Sequence, residues 1–295
     1  MNHNFRHAYS TRQLAQMWNV SESTVKRWAD SGDLHCRRTP GGHRRFTLQD
    51  IHTFQLKRGF EANGLLANES WEDPDVEVSV NQRNFAKVCD QVFYLASRNQ
   101  RLQIKELLER LYLRGVELVQ LYDDVLMPVL RKTRAALNRR ELVKGHDCLV
   151  GNNLEESMSY LFPEIIRRRP NGRMVLCAAP DSGKALLVNA ISRILEVEGW
   201  ESLNLGHNVS FSVMAEIVRL EPVSLVCVVS ERKSQQAVEN NQVSPLSGTA
   251  AEYRIPVLLF GSGFSSPEHL DPFDDCYYFR DFSSLRNYVV SLARP

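Results

Sequence analysis

The chain has 295 residues, 43% of them apolar, which is enough to bury the cores of two or three domains, and its formal net charge is only +1. No apolar run is long enough to span a bilayer, the opening residues do not form a signal peptide, and the six scattered cysteines exclude a disulfide framework. We therefore expect a cytoplasmic protein with reduced thiols and no membrane partner.

The near-neutral total conceals a basic N-terminal segment. Residues 1–58 contain ten Lys or Arg and four acidic residues, a net charge of +6, which leaves −5 for residues 59–295. Such asymmetry is typical of a DNA-binding module joined to domains with another role. The charge pattern thus indicates double-stranded DNA as the partner of the first segment.

Residues 10–54 predict a winged helix-turn-helix. Ser10 or Thr11 caps a first helix that reaches residue 18, and Ser21 caps a second helix that Gly32 ends. A recognition helix carries its DNA-contacting side chains near its start, here Ser23, Thr24, Lys26 and Arg27. The basic run that follows predicts a wing with a double-glycine tip and phosphate-binding side chains, namely Arg37, Arg38, His43, Arg44 and Arg45.

The wing contains the run Thr-Pro-Gly-Gly-His-Arg-Arg-Phe, at residues 39–46. With this run, residues 8–58 resemble the DNA-binding head of the MerR family of transcriptional regulators. The resemblance implies that residues 1–58 bind a specific DNA operator.

The chain after the head reads as a linker and then a helical domain. Thr47 caps a helix that ends near Arg58, and residues 59–80 are polar and turn-prone, as in a linker. Residues 81–170 have apolar residues at helical spacing in four segments, 84–99, 100–114, 115–138 and 141–162. Short connections between them predict a four-helix bundle.

Residues 171–295 predict an α/β domain with a doubly wound parallel sheet. Nearly continuous apolar strands alternate with helices, and the strands are predicted at residues 174–178, 200–205, 224–229, 256–260 and 276–279. In such sheets ligands bind outside the carboxyl ends of the strands. The loops after residues 178, 229 and 260 are therefore the place to look for a ligand.

The whole series of domains resembles a known family. A MerR-type head, a bundle and a flavodoxin-like sheet, in that order, are similar to the cobalamin-binding photoreceptor regulators of the CarH/LitR type. The run from Leu121 to Pro128 matches the family's bundle helix, and Gly199 with Leu203–Gly206 matches its second strand and turn. Ser230 and the run Gly261–Gly263 lie where that family has its nucleotide-loop motifs.

The residues that would hold cobalamin in that family are replaced. The cobalt-binding His of Asp-x-His-x-x-Gly falls on Lys184 or Gly183, depending on the alignment, and neither supplies a neutral imidazole. The Trp that covers the corrin aligns with Leu137, and the bundle's Glu-His pair aligns with Asp147-Cys148, one residue beyond His146. We expect a degenerate cobalamin-binding-like region with no cofactor and no metal.

Several residues could still line a ligand pocket at the strand ends, namely Asp181, Ser182, Lys184, Ser230, Gly261 and Gly263. Gly183-Lys184 does not make a phosphate loop, because Ala178 and Ala185 replace the required glycine and hydroxyl residue. Two plainer interpretations remain open. Asp181 or Ser182 could simply cap a helix, and the two glycines could serve only turn geometry.

No catalytic constellation emerges, and we expect no enzyme. The sequence predicts a sequence-specific transcription regulator whose bundle and sheet form a homodimer or homotetramer and could sense a signal. Two alternatives stay open. One is a cobalamin- or tetrapyrrole-dependent sensor or methyl-transfer accessory protein, and the other is an architectural DNA binder without sequence preference.

Overall fold

The structure is a computed structural model that describes residues 8–58, 74–165, 168–181, 185–231, 243–264 and 271–292. The chain divides into two units, residues 1–166 and residues 167–295. The first unit begins with three helices and a small antiparallel sheet of order β1-β3-β2: β1 (Tyr9–Ser10), α1 (Thr11–Met17), α2 (Glu22–Asp30), β2 (Arg37–Arg38), β3 (Arg44–Phe46) and α3 (Leu48–Arg58).

Local hydrogen bonds explain where the head's helices begin. Ser10 forms a capping box with Gln13 at the start of α1, and the Ser21 hydroxyl accepts a bond from the Thr24 N–H at the start of α2. Thr47 and Asp50 bond reciprocally, side chain to backbone N–H, at the start of α3. Because each bond satisfies an N–H that the first turn leaves unpaired, the predicted starts of all three helices agree with the structure.

The rest of the first unit is helical: α4 (Pro74–Asn81), α5 (Ala86–Ser97), α6 (Arg101–Leu113), α7 (Leu118–Gln120), a π-helical segment (Leu121–Leu126), α8 (Met127–Asn138), α9 (His146–Leu161) and a 3-10 turn (Phe162–Glu164). Helices α5, α6, α8 and α9 pack on one another. The predicted linker, residues 59–80, lies outside the described residues as far as residue 73. Its last seven residues belong to α4, in which Val76 and Val80 are buried one turn apart.

The π-helical segment was not predicted, and a proline accounts for it. Pro128 has no N–H to donate to the carbonyl of Asp124, four residues earlier. The Cys89 thiol donates to that carbonyl instead, at 3.3 Å, and burial raises the pKa of this thiol to about 11, so that it remains a donor. The Met127 N–H reaches back five residues to Tyr122.

The second unit contains a parallel sheet of order β5-β4-β6-β7-β8 in its described residues. Its elements are β4 (Met174–Ala178), α10 (Ala185–Val197), β5 (Glu201–Gly206), α11 (Phe211–Leu220), β6 (Val223–Val229), α12 (Ser244–Tyr253), β7 (Val257–Phe260), a 3-10 turn (Ser262–Phe264), β8 (Cys276–Phe279) and α13 (Phe282–Leu292). Every strand pair is parallel, and the predicted strands agree with these bounds to within a residue. The prediction of a parallel sheet is confirmed.

The strand order places one crevice at a defined position. The chain reverses its direction of winding between β4 and β6, and the loops that follow these strands diverge at that point. The three inner strands are buried on both faces, which explains their nearly continuous apolar sequence. Within the described residues, no helix is both long enough and apolar enough to cross a membrane.

Candidate nucleic-acid interface

Helix α2 presents a polar face near its N-terminus. Ser23, Lys26 and Arg27 are exposed, whereas Val25 is fully buried beneath them. Thr24 differs from its predicted neighbours, because it is half-buried and its hydroxyl lies 2.9 Å from the capping oxygen of Ser21. The exposed part of the predicted recognition surface therefore consists of two cations and a hydroxyl on one helix.

Three aromatic rings fix α2 against the other helices of the head. The ring of Trp28 lies 5.8 Å from that of Trp18 and 4.9 Å from that of Phe54, and the last two rings are 5.0 Å apart. Trp18 and Phe54 are 6% and 1% exposed. A rigid core directly behind α2 holds its outer side chains in fixed positions, as a recognition surface requires.

A basic hairpin, residues 37–46, follows α2. Its tip is closed by bonds from the Thr39 N–H to the His43 carbonyl, at 2.9 Å, and from the Gly42 N–H to the Thr39 carbonyl, at 2.8 Å. Gly42 has φ +78, which a side chain would disfavour. Arg37, Arg38 and His43 are exposed along this hairpin.

Asp30 attaches the hairpin to the end of α2. Its carboxylate accepts a bond from Arg44 at 2.5 Å, and the Arg38 guanidinium lies 3.4 Å from the same oxygen. The Arg44 side chain is only 17% exposed, while that of Arg38 is 61% exposed. Arg44, predicted to contact DNA, thus faces the protein, and Arg45, on the opposite side of β3, is half-buried.

The sequence analysis did not identify Asp30. The signal was available, because Asp30 is an acidic residue at the end of the recognition helix, seven residues before a strongly basic run. The same carboxylate belongs to the charges around the half-buried Cys36. Burial raises the pKa of the Cys36 thiol, and Arg44 and Arg38 oppose this rise.

A second cluster of predicted residues lies at the carboxyl ends of β4, β6 and β7. The Ser230 hydroxyl donates to Asp181 Oδ2 at 2.6 Å, and the Gly263 N–H donates to the Ser230 carbonyl at 2.9 Å. A Cβ on Gly261, which has φ +100, would lie 2.4 Å from that carbonyl. The structure thus brings four of the six predicted pocket residues together, while Ser182 and Lys184 lie outside the described residues.

The loop after β4 does not supply the histidine that the resemblance to the CarH/LitR type implies there. Asp181 Oδ1 is buried without a hydrogen-bond partner among the described residues, so an acceptor is present. The sequence from Pro180 to Ala185 contains no imidazole that could ligate cobalt. In the first unit, the ring of His146 lies 3.1 Å from the Val143 carbonyl. In the described part of the chain, no group of three or more His, Cys, Asp or Glu could hold a metal ion.

Comparisons with known proteins identify the N-terminal part of the chain. Residues 8–59 match the family model described as a helix-turn-helix domain. The chain therefore has an N-terminal helix-turn-helix DNA-binding domain, as the sequence predicted. No curated protein is significantly similar to the chain.

Among solved structures, the chain is similar to the monomethylamine corrinoid protein of Methanosarcina barkeri, with a TM-score of 0.56 and 12% identity over 70% of this chain and 99% of that one. A cobalamin-binding protein from Desulfitobacterium hafniense aligns with a TM-score of 0.35 and 13% identity, over 70% of this chain and 98% of that one. The methanol:cobalamin methyltransferase complex MtaBC of Methanosarcina barkeri aligns with a TM-score of 0.36 and 12% identity, over 92% of each chain. The first of these structures and this chain share a fold.

Proposed function

We propose that the protein is a transcription regulator of the MerR kind, related to the CarH/LitR type, that binds a specific double-stranded DNA operator. The observation that carries the proposal is the exposed basic hairpin held against a capped, exposed helix by Asp30. This arrangement presents phosphate-binding and base-contacting groups on one rigid body.

The side chains have different roles in the proposed complex. Lys26 and Arg27, with Ser23 and Thr24, enter or edge the major groove, because they lie on the first two turns of α2. Arg37, Arg38, His43 and Arg45 hold phosphates or the adjacent minor groove. Arg44 acts mainly by fixing the hairpin through Asp30.

One head is too small for useful affinity alone. A single module buries little DNA-contacting surface, so we expect at least two heads on repeated or palindromic half-sites. Residues 81–295 supply the contacts of the homodimer or homotetramer. In this proposal the protein acts in the cytoplasm and catalyses no reaction.

Mapping of bound genomic DNA, together with selection from random duplexes, tests the proposal. We expect one enriched motif containing two related half-sites, and replacement of Lys26 or Arg27 by Ala should change the preferred bases. Retention of duplexes without any enriched motif would favour the architectural alternative. Failure to retain duplex DNA at all would contradict the proposal.

A second candidate is a cobalamin- or tetrapyrrole-dependent sensor or methyl-transfer accessory protein. It is favoured by the fold shared with a corrinoid protein and by the Asp181–Ser230 pair at the crevice. We propose instead that DNA binding is independent of cobalamin and light, since Lys184 or Gly183 replaces the histidine that holds the cobalt in the CarH/LitR type. Visible absorbance decides between them: a colourless protein with unchanged operator affinity in adenosylcobalamin, in darkness and after illumination, supports the first proposal. A coloured protein, or a tenfold change of affinity, about 1.4 kcal/mol of coupling, supports the second.

A further inference from the structure

Helix α6 buries a charged pair beneath the head. Lys105 and Glu109 are 6% and 8% exposed, which is rare for these residues unless they are paired, and the Lys105 ammonium donates to Glu109 Oε2. The phenol of Tyr9, in β1, donates to the other Glu109 oxygen at 2.6 Å. The head thus donates a hydrogen bond to the second oxygen of a buried carboxylate in α6.

A second contact lies one turn further along α6. The ring of His52, from α3, stacks on Tyr112 with centroids 4.4 Å apart and planes at 28°. Burial lowers the pKa of His52, although Glu117 opposes this shift. Residues 105, 109 and 112 lie on one face of α6 because their spacing is four and three.

Both contacts lead directly to the proposed DNA-binding elements. Tyr9 pairs with Phe46 in β3, and the next pair joins Ser10 to Arg45, so the Glu109 contact lies beside the basic hairpin. Helix α3, which carries His52, packs on both β3 and α6. A displacement of α6 would therefore displace the hairpin as well.

We propose that the face of α6 formed by Lys105, Glu109 and Tyr112 positions the head, with Tyr9 and His52 as its contacts, so that two heads of an oligomer meet half-sites at one spacing. This inference rests on the proposed function. The docked head leaves its DNA-facing residues accessible, since the side chains of Lys26 and Arg38 are 50% and 61% exposed. The contact is therefore an orienting clamp and does not cover the DNA-binding surface.

The test uses the full chain and measures its affinity for two duplexes. One is the duplex selected for the protein, and the other has about five base pairs, half a helical turn, inserted between the half-sites. Wild-type affinity should fall about tenfold or more, because the two heads no longer reach both half-sites. The variant Tyr9→Phe with His52→Ala should bind a single half-site as wild type does, but lose much less affinity on the insertion. Tyr160→Phe is the matched control, because this phenol also donates to a helix glutamate, Glu156, at 2.9 Å, but away from the head.

A cross-link tests whether the docked state binds DNA. In a variant whose Cys36, Cys148 and Cys276 are replaced by Ser, the changes His52→Cys and Tyr112→Cys introduce two thiols. A short bis-maleimide then joins these two thiols. We expect efficient joining, unchanged half-site affinity and a retained spacing preference. Loss of half-site binding on cross-linking, or equal spacing dependence in wild type and the Tyr9→Phe, His52→Ala variant, would overturn the inference alone. A wild-type protein that retains no duplex would instead defeat the proposed function, and this inference with it.

Discussion

The head and the crevice of the sheet contrast in how their side chains relate to their fold. In the head, a rigid aromatic core lies behind exposed cations, and an acidic residue fixes the hairpin that carries them. At the crevice, Asp181 bonds to Ser230 at the strand ends of a parallel sheet, and the sequence from Pro180 to Ala185 contains no imidazole.

A fold and the ligand chemistry at its surface therefore depend on different residues. The sheet is held by buried apolar strands, which remain whether or not a ligand binds at the strand ends. The proposed function of the head depends on exposed side chains, which add little to stability. Variants that affect one set and leave the other intact can therefore test whether the two sets act separately.

The largest expected effect comes from removing a ring of the head's core. Phe54→Ala should destabilise the head by about 3–5 kcal/mol, because it leaves a cavity between two tryptophans. Hydrogen exchange in α2 should rise steeply while β6 keeps its protection. Phe282→Ala, which removes a buried ring stacked on Phe260 at 4.5 Å, is the reciprocal control. Equal loss of protection in both units from either change would show that they do not fold separately.

Gly261→Ala should produce the next largest effect, this time at the crevice. A side chain at φ +100, with its Cβ 2.4 Å from the Ser230 carbonyl, should lower the free energy of unfolding of the sheet by about 2 kcal/mol or more. Gly248→Ala is the matched control, since no atom lies within 4 Å of its new Cβ and α12 should gain up to about 1 kcal/mol. Thermal unfolding measures both. A neutral Gly261→Ala would contradict this account of the glycine.

Removing exposed cations should change binding but not stability. Arg37→Ala with Arg38→Ala should reduce the slope of log affinity against log salt by about 2, since each phosphate contact contributes about 0.9. Arg131→Ala with Lys144→Ala removes the same charge from exposed positions outside the head. Titration of a labelled duplex at several salt concentrations compares them. Identical slopes for the two double variants would remove the hairpin from the interface.

The smallest expected effect comes from Asp30, and it has opposite signs for affinity to random duplex and for preference for the operator. Asp30→Asn removes a negative charge and releases Arg44, so affinity for random duplex should rise slightly while preference for the operator falls. Its effect on stability should stay below about 1 kcal/mol, because the Asp30 carboxylate is half exposed. Asp33→Asn, which removes the carboxylate paired with Arg58, is the control. Higher preference for the operator in Asp30→Asn would contradict the role of Asp30 in fixing the hairpin.

Local signals were sufficient to predict most of the fold. Caps at Ser10, Ser21 and Thr47 and continuous apolar runs in the sheet lie close together in sequence, so that each element could be identified separately. The π-helical segment escaped prediction because it depends on Pro128 together with Cys89, a residue on another helix. Helix α4 escaped because its flanks are polar.

The candidate site was predictable only in part. Exposed Arg37, Arg38 and Lys26 follow from composition and spacing, whereas the inward turn of Arg44 depends on Asp30, fourteen residues away. The contact from Tyr9 to Glu109 spans 100 residues and joins β1 to α6, and no sequence periodicity reports such a pair. Long-range polar contacts are thus the features of the site that only the structure revealed.

Sequence-specific binding by the head is tested most directly by a ratio of two affinities, measured with the full chain at physiological salt. One affinity is for a selected operator, and the other is for a scrambled duplex of equal length. We expect a ratio of about 10³ or more, as for specific regulators, together with steep salt dependence for both duplexes. Equal affinity for the two duplexes would contradict the claim that the head reads a sequence.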